Sequence, residues 1–187
     1  HAQAAHQAGM PALISDNELG EVRELSWPEL QRQVASVALC LREAGIQPGD
    51  RVAAYLPNVP ETIVAFLACA SLGAVWSVCA PDMGIAAVVD RLSQIEPKLL
   101  IATDGVFYGG KALCRSEVVR QLQDKLPTLT HTLLVPSPHA SATVPHSLRW
   151  ADAVGRDDAA VRAFSPVPLP FDHPLWVVYS SGTTGLP

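Results

Sequence analysis

Apolar and polar positions along the chain fall into blocks, some alternating with a period of two and others with a period near 3.6. Residues 12–15 (ALIS) and 21–25 (EVREL) are short strand-like runs around the polar turn DNELG. They predict a β-hairpin at the edge of a larger structure. Ser26-x-x-Glu29 then forms a capping box, with Pro28 tolerated in the first helical turn. Leu30, Val34, Val37 and Leu41 follow at helical spacing, and Gly45 suits the position just past a helix. Pro48-Gly49-Asp50 is a turn. Val52 to Leu56 (VAAYL) is nearly all apolar, as expected of a parallel strand covered on both faces.

The alternation continues. Residues 60–72 predict an apolar helix stopped by Gly73, and 74–79 (AVWSVC) a strand. Residues 85–95 predict a helix with Val88, Leu92 and Ile95 on one face, and 99–102 (LLIA) a strand. A helix over 116–126 and a strand over 131–135 follow. Residues 1–9 and 136–173 hold no convincing long element, apart from a short helical turn at 150–154. Leu175 to Tyr179 (LWVVY) predicts the last strand. Repeated strand–helix alternation predicts an α/β fold. It is a three-layer, Rossmann-like parallel sheet flanked by helices, with a short N-terminal β-hairpin in front.

Composition sharpens the picture. The 187 residues are 49% hydrophobic and 17% charged, which supplies a large core and excludes a disordered chain. The net charge of −5, with no Lys/Arg cluster, gives no electrostatic case for nucleic acid or an anionic membrane. The longest apolar run, Ile63 to Ala70, is far short of the ~20 residues of a membrane span. Residues 1–10 lack the basic segment and apolar run of a secretory signal. Cys40, Cys69, Cys79 and Cys114 show no metal-ligand spacing, so reduced, buried thiols and a cytoplasmic setting are expected. Eight of the 16 prolines lie between 127 and 174, which marks a looser connector there.

The chemistry-bearing candidate is the run Ser180-Ser181-Gly182-Thr183-Thr184-Gly185, directly after the last predicted strand. Glycines let a backbone turn sharply and approach a ligand closely. Successive amides can then form an anion nest, and small hydroxyls add donors without bulk. Loops at the carboxyl ends of parallel strands are where such sheets bind ligands. The run is neither a Walker A motif nor Gly-x-Gly-x-x-Gly, because Gly182 and Gly185 are three apart with no lysine beside them. From the residues alone, a phosphate cradle and an ordinary polar loop both stay open.

Tyr179-Ser-Ser-Gly-Thr-Thr-Gly-Leu-Pro187 resembles the phosphate-loop signature of the adenylate-forming superfamily, which includes acyl-CoA synthetases. Pro48-Gly-Asp-Arg-Val-Ala-Ala-Tyr-Leu-Pro-Asn58, with Pro60-Glu61 after it, and Ala68 to Val75 are similar to early stretches of the same family. The resemblance runs from about residue 12 to 187. Trp76 to Asp82, Arg91 to Lys98 and His173 to Gly182 resemble the branch that activates acetoacetate more than the branch that activates acetate.

The resemblance implies a two-step ligase. A carboxylate attacks the α-phosphorus of ATP, giving an acyl-adenylate and diphosphate, and the thiol of coenzyme A then displaces AMP. Ser180, Ser181, Gly182, Thr183, Thr184 and Gly185 would hold the ATP phosphates, with Thr184 catalytic and nearest a Mg²⁺ ion. Tyr108, Gly109, Gly110 and Lys111 would contact coenzyme A, and the alternative there is a Gly-rich turn with a solvated lysine. The Ala80 to Gly84 loop could wall the nucleotide end. The histidines show no pairing with an acid that marks a general base; His173 reads as structural, and the four tryptophans as core or edge residues. The chain would form the first part of a large N-terminal AMP-binding domain, with the family's C-terminal domain absent. Alone, that part is expected to be inactive and poorly soluble. The rival readings are an acetyl- or propionyl-CoA synthetase-like ligase and a non-catalytic α/β nucleotide-binding or interaction module.

Overall fold

The computed structural model describes residues 2–138, 140 and 143–180. A short helix, α1 (Ala2–Gln7), precedes an antiparallel hairpin of β1 (Leu13–Asp16) and β2 (Val22–Leu25). The sequence pattern does not predict α1, since no residue of it is buried and it has no apolar face to show. Helix α2 (Trp27–Glu43) follows. Ser26 caps it by accepting the Glu29 N–H. The Glu29 carboxylate turns instead to Arg32 and Gln33, so only half of the capping box forms. The helix ends as the sequence predicts. Gly45 is left-handed (φ 85°) and donates to Arg42 O, while Ile46 donates to Leu41 O and packs beside it in the core.

The central sheet has the order β4-β3-β5-β8-β9, all parallel. Its strands are β3 (Arg51–Tyr55), β4 (Val75–Cys79), β5 (Leu99–Thr103), β8 (His131–Val135) and the short β9 (Ser147–Arg149). Helix α3 (Pro60–Leu72) links β3 to β4, and α4 (Ile85–Ile95) carries the chain back across β3 to β5. Between β5 and helix α5 (Ser116–Lys125) a second hairpin projects, made of β6 (Gly105–Tyr108) and β7 (Lys111–Cys114). Short helices α6 (Trp150–Val154) and α7 (Ala159–Arg162) follow β9.

Strict alternation along the strands makes the three layers. Val52, Ala54, Trp76, Leu99, Ile101 and Leu133 face one core with α2, α3 and α6. Ala53, Tyr55, Cys79, Leu100 and Ala102 face the other, with Val88 and Leu92 of α4 and Val119 and Leu122 of α5. Both faces of β3 and β5 are therefore dry, which explains why their sequences are continuous apolar runs.

The structure corrects the last strand. Residues 175–179 make a single parallel bridge, Trp76 with Trp176, on the outer side of β4. Trp76 N donates to Leu175 O and Val177 N donates to Trp76 O. Among the described residues the other side of this segment has no partner, and Trp176 and Val178 are exposed. With a single bridge, the segment does not complete a ladder. Behind it, His173 Nε2 meets Gly73 O at 2.8 Å, in line with a structural role. Gly73 itself is left-handed (φ 72°), and a Cβ there would crowd Leu169 and Pro48.

The thiols divide as well. Cys69 and Cys79 are buried and Cys40 is half-buried, and burial raises all three thiols above their ordinary value. Cys114 is exposed, against the expectation of a buried thiol, because its strand belongs to the projecting hairpin rather than the sheet.

Candidate functional site

The carboxyl ends of β3, β4 and β5 lie side by side. The crossover at β3 makes them the switch point of the sheet. The connection after β3 leads to β4 on one side, while that after β5 leads to β8 on the other. In open α/β sheets the crevice above such strands is the place for ligands.

Three residues organise this rim. The buried Tyr55, last residue of β3, sends its hydroxyl to Pro81 O at 2.8 Å. Arg115, just before α5, donates from Nε to the same carbonyl at 2.7 Å. The Ala80–Gly84 loop is thus fastened to two elements at one oxygen. Burial pushes the Tyr55 phenol up to about 12, with Arg115 opposing, so the hydroxyl remains a donor at neutral pH. Asp104, directly after β5, receives the Ser137 N–H on its carboxylate at 2.7 Å and the Arg115 N–H on its carbonyl at 2.7 Å. These bonds lock the loop after β8 and the start of α5 onto the end of β5.

The β6–β7 hairpin rises from this rim. Sequence reading places Tyr108, Gly109, Gly110 and Lys111 in a Gly-rich turn, and the structure makes them the hairpin tip. Gly109 (φ 60°) and Gly110 (φ 74°) are both left-handed, as a two-residue primed turn requires. Their amides converge on one carboxylate: Gly109 N donates to Glu18 Oε1 at 3.0 Å and Gly110 N to Glu18 Oε2 at 2.9 Å. The two N–H groups hold Glu18 below the ordinary glutamate range. The tip is therefore a working anion nest. Any phosphate or carbonyl oxygen that binds there has to displace Glu18. Tyr108 and Lys111 flank the nest and are exposed.

Glu18 sits in the β1–β2 turn, where Asn17 Oδ1 accepts the Leu19 and Glu21 N–H groups at 3.0 Å each. Sequence reading misses it, because a contact between residues 91 positions apart leaves no local pattern. The Asn17 turn was the available signal, and it identifies the turn without its target.

The second candidate segment starts at Ser180, which is exposed. Ser181, Gly182, Thr183, Thr184 and Gly185 lie outside the described residues. Tyr179, just before them, hydrogen-bonds Arg91 O, and the Arg91 guanidinium lies 5.9 Å from its ring centroid. This segment and the β6–β7 hairpin leave the same end of the sheet. They stand three strand positions apart, about 14 Å at ordinary strand spacing. Two candidate segments thus leave one rim. Among the described residues no group of three or more His, Cys, Asp or Glu side chains could hold a metal ion, and no helix is long and apolar enough to cross a membrane.

The family model for AMP-binding enzymes matches residues 1–187. The chain belongs to the AMP-binding enzyme family. Among its relatives, the acetoacetyl-CoA synthetase of Xenopus tropicalis is 41% identical over 186 residues, covering 94% of this chain and 27% of the relative. The acetoacetyl-coenzyme A synthetase of Rhizobium meliloti (strain 1021) is 43% identical over 178 residues, with the same 94% and 27% coverage. The solved structure of acetoacetyl-CoA synthetase from Streptomyces lividans matches with a TM-score of 0.90 and 45% identity, over 100% of this chain and 28% of that one. The chain thus spans little more than a quarter of the length of these relatives. The likeness to that solved structure extends over the whole of this AMP-binding family member.

Proposed function

We propose that residues 1–187 form the opening part of the AMP-binding domain of an ATP-dependent acid–thiol ligase. Its reaction joins acetoacetate to coenzyme A through an acyl-adenylate, releasing AMP and diphosphate. The observation that carries this reading is the likeness of the whole chain to acetoacetyl-CoA synthetases in both sequence and fold. A cytoplasmic setting fits the absence of any metal-ligand or paired spacing among the cysteines.

Ser180, Ser181, Gly182, Thr183, Thr184 and Gly185 hold the ATP phosphates in this reading, by hydroxyl and main-chain donors. Thr184 would help hold a Mg²⁺ ion, which would supply neutralisation of the charge that builds on the phosphates. Donors already in place stabilise that charge without reorganisation. The hairpin tip serves coenzyme A: the Gly109 and Gly110 amides already accept an anion, and Lys111 adds a positive charge beside them. This chain supplies binding and orientation; the remaining parts of the reaction rest on segments outside it.

The test is an ATP–diphosphate exchange assay of the full-length protein with acetate, propionate and acetoacetate. Exchange driven best by acetoacetate is the expected outcome, and no exchange with any acid favours a non-catalytic module. Thr184→Ala is expected to weaken exchange. Lys111→Ala is expected to raise KM for coenzyme A while leaving exchange intact.

A further inference from the structure

The carboxyl end of the edge segment is held by side chains more than by the sheet. The Val177 N–H to Trp76 O bond, 2.8 Å, is its furthest backbone contact with β4, and Ser77 Oγ adds a bond to Val177 O at 3.0 Å. Two residues on, Tyr179 turns to α4 instead. Its hydroxyl donates to the Arg91 carbonyl, and its ring lies under the Arg91 guanidinium. Arg91 is steadied by its own bond from Nη1 to Ala87 O at 3.2 Å, one turn back. The helix beneath is fixed, since Val88 and Leu92 are fully buried against the sheet. Ser77, Cys79 and Asp90 are the other polar neighbours of the phenol, and burial keeps it above its ordinary value and protonated.

We infer that Arg91 and Tyr179 are positioning residues for nucleotide binding, through which α4 fixes where the hydroxyl- and glycine-rich run begins. The inference rests on the nucleotide reading of that run. Arg91 acts on the Tyr179 ring, and Tyr179 acts on Ser180 through the peptide bond between them. A mid-helix carbonyl keeps a second lone pair after its own helical bond, so the phenol can use it without breaking the helix. The guanidinium is attracted to the negative face of the ring. Holding Tyr179 in place also holds the position of Ser180, so less chain freedom there is left to be lost when a ligand binds.

The experiment measures steady-state constants for all three substrates in the full-length protein, with thermal unfolding alongside. Tyr179→Phe removes only the hydroxyl bond. Arg91→Ala removes the cation, and Arg91→Lys keeps a cation over the ring. Tyr179→Phe and Arg91→Ala are each expected to raise KM for ATP about three- to tenfold, the scale of one hydrogen bond or one cation–π contact. KM for the acid and for coenzyme A stay unchanged, and Arg91→Lys restores most of the ATP affinity. An unchanged KM for ATP in both variants overturns the inference. So does an equal rise for all three substrates accompanied by a lower Tm, which marks general loosening. Thr184→Ala separates the two layers. If it impairs exchange while the clamp variants do not, only the positioning role falls; if it too leaves exchange intact, the nucleotide reading falls with it.

Discussion

Val52 and Val178 sit in apolar runs that look alike on paper, VAAYL and LWVVY, and the fold treats them in opposite ways. Val52 lies in β3, which is paired to β4 on one side and β5 on the other, and is 0% exposed. Val178 lies beyond the single bridge to β4 and is 74% exposed. Local hydropathy and β-propensity do not separate them. The difference is neighbours: a strand interior to a sheet is defined by two ladders and two covered faces, and an edge run with one neighbour has neither.

The largest test of this contrast is a matched pair of substitutions. Val52→Asp places an unpaired carboxylate in the core and is expected to cost more than about 4 kcal/mol, enough to abolish cooperative unfolding. Val178→Asp is expected to stay within about 0.5 kcal/mol of the parent. Urea unfolding followed by circular dichroism reads both. Comparable losses at the two positions would mean that residues 175–179 are as deeply integrated as β3.

A smaller effect tests the rim. Tyr55→Phe keeps the ring in the core and removes the bond to Pro81 O. A loss of about 1 kcal/mol is expected, since Arg115 still satisfies that carbonyl. No loss at all would show that the Ala80–Gly84 loop is fastened by Arg115 alone. At the edge, Trp176 packs on Phe66 with the rings tilted by 45° and centroids 5.1 Å apart, while Phe66 also meets the buried Trp76 at 6.0 Å. Trp176→Ala is expected to cost about 1 kcal/mol, the scale of one aromatic pair plus some half-exposed area. A loss near that of Val52→Asp would again break the contrast.

Most of the layered sheet was legible because its cause is local. Val52 to Tyr55, Leu99 to Ala102 and the Val88/Leu92 stripe announce themselves by spacing, and Gly45 and Gly73 mark helix ends by a conformation few other residues adopt cheaply. The β6–β7 hairpin was legible only as a turn. Gly109-Gly110 is a strong turn signal, but the flanking runs GVFY and KALC show no clean alternation of apolar and polar positions. β9 escaped because it is three residues long and exists only by its pairing with β8. At the candidate site, the family resemblance pointed to Tyr108–Lys111, and residue types pointed to the run after Tyr179. The residues that hold these segments, Glu18 and Arg91, act across gaps of 88 to 92 positions, which local spacing does not reveal.

The Glu18 contact is the gentlest place to test that last point. Both partners are exposed, so its effect on global stability is small, and its signature is ionisation instead. The carboxylate is held below the ordinary glutamate value by the Gly110 and Gly109 N–H groups, in that order. A depressed folded pKa means that the contact is fully present above the ordinary value, near 4.3, and is lost as pH falls through the lower folded value. The amide resonances of Gly109 and Gly110 are therefore expected to stay constant from neutral pH down to about 4.3 and to move together below it. Glu18→Gln, which cannot ionise, is expected to leave them flat across that range. Resonances that move in the variant as in the parent would place the titrating group elsewhere and leave the nest without its carboxylate. Resonances that follow Glu18 would show that the turn assigned to coenzyme A by resemblance binds an anion through its backbone, and that its resident is a residue of the same chain.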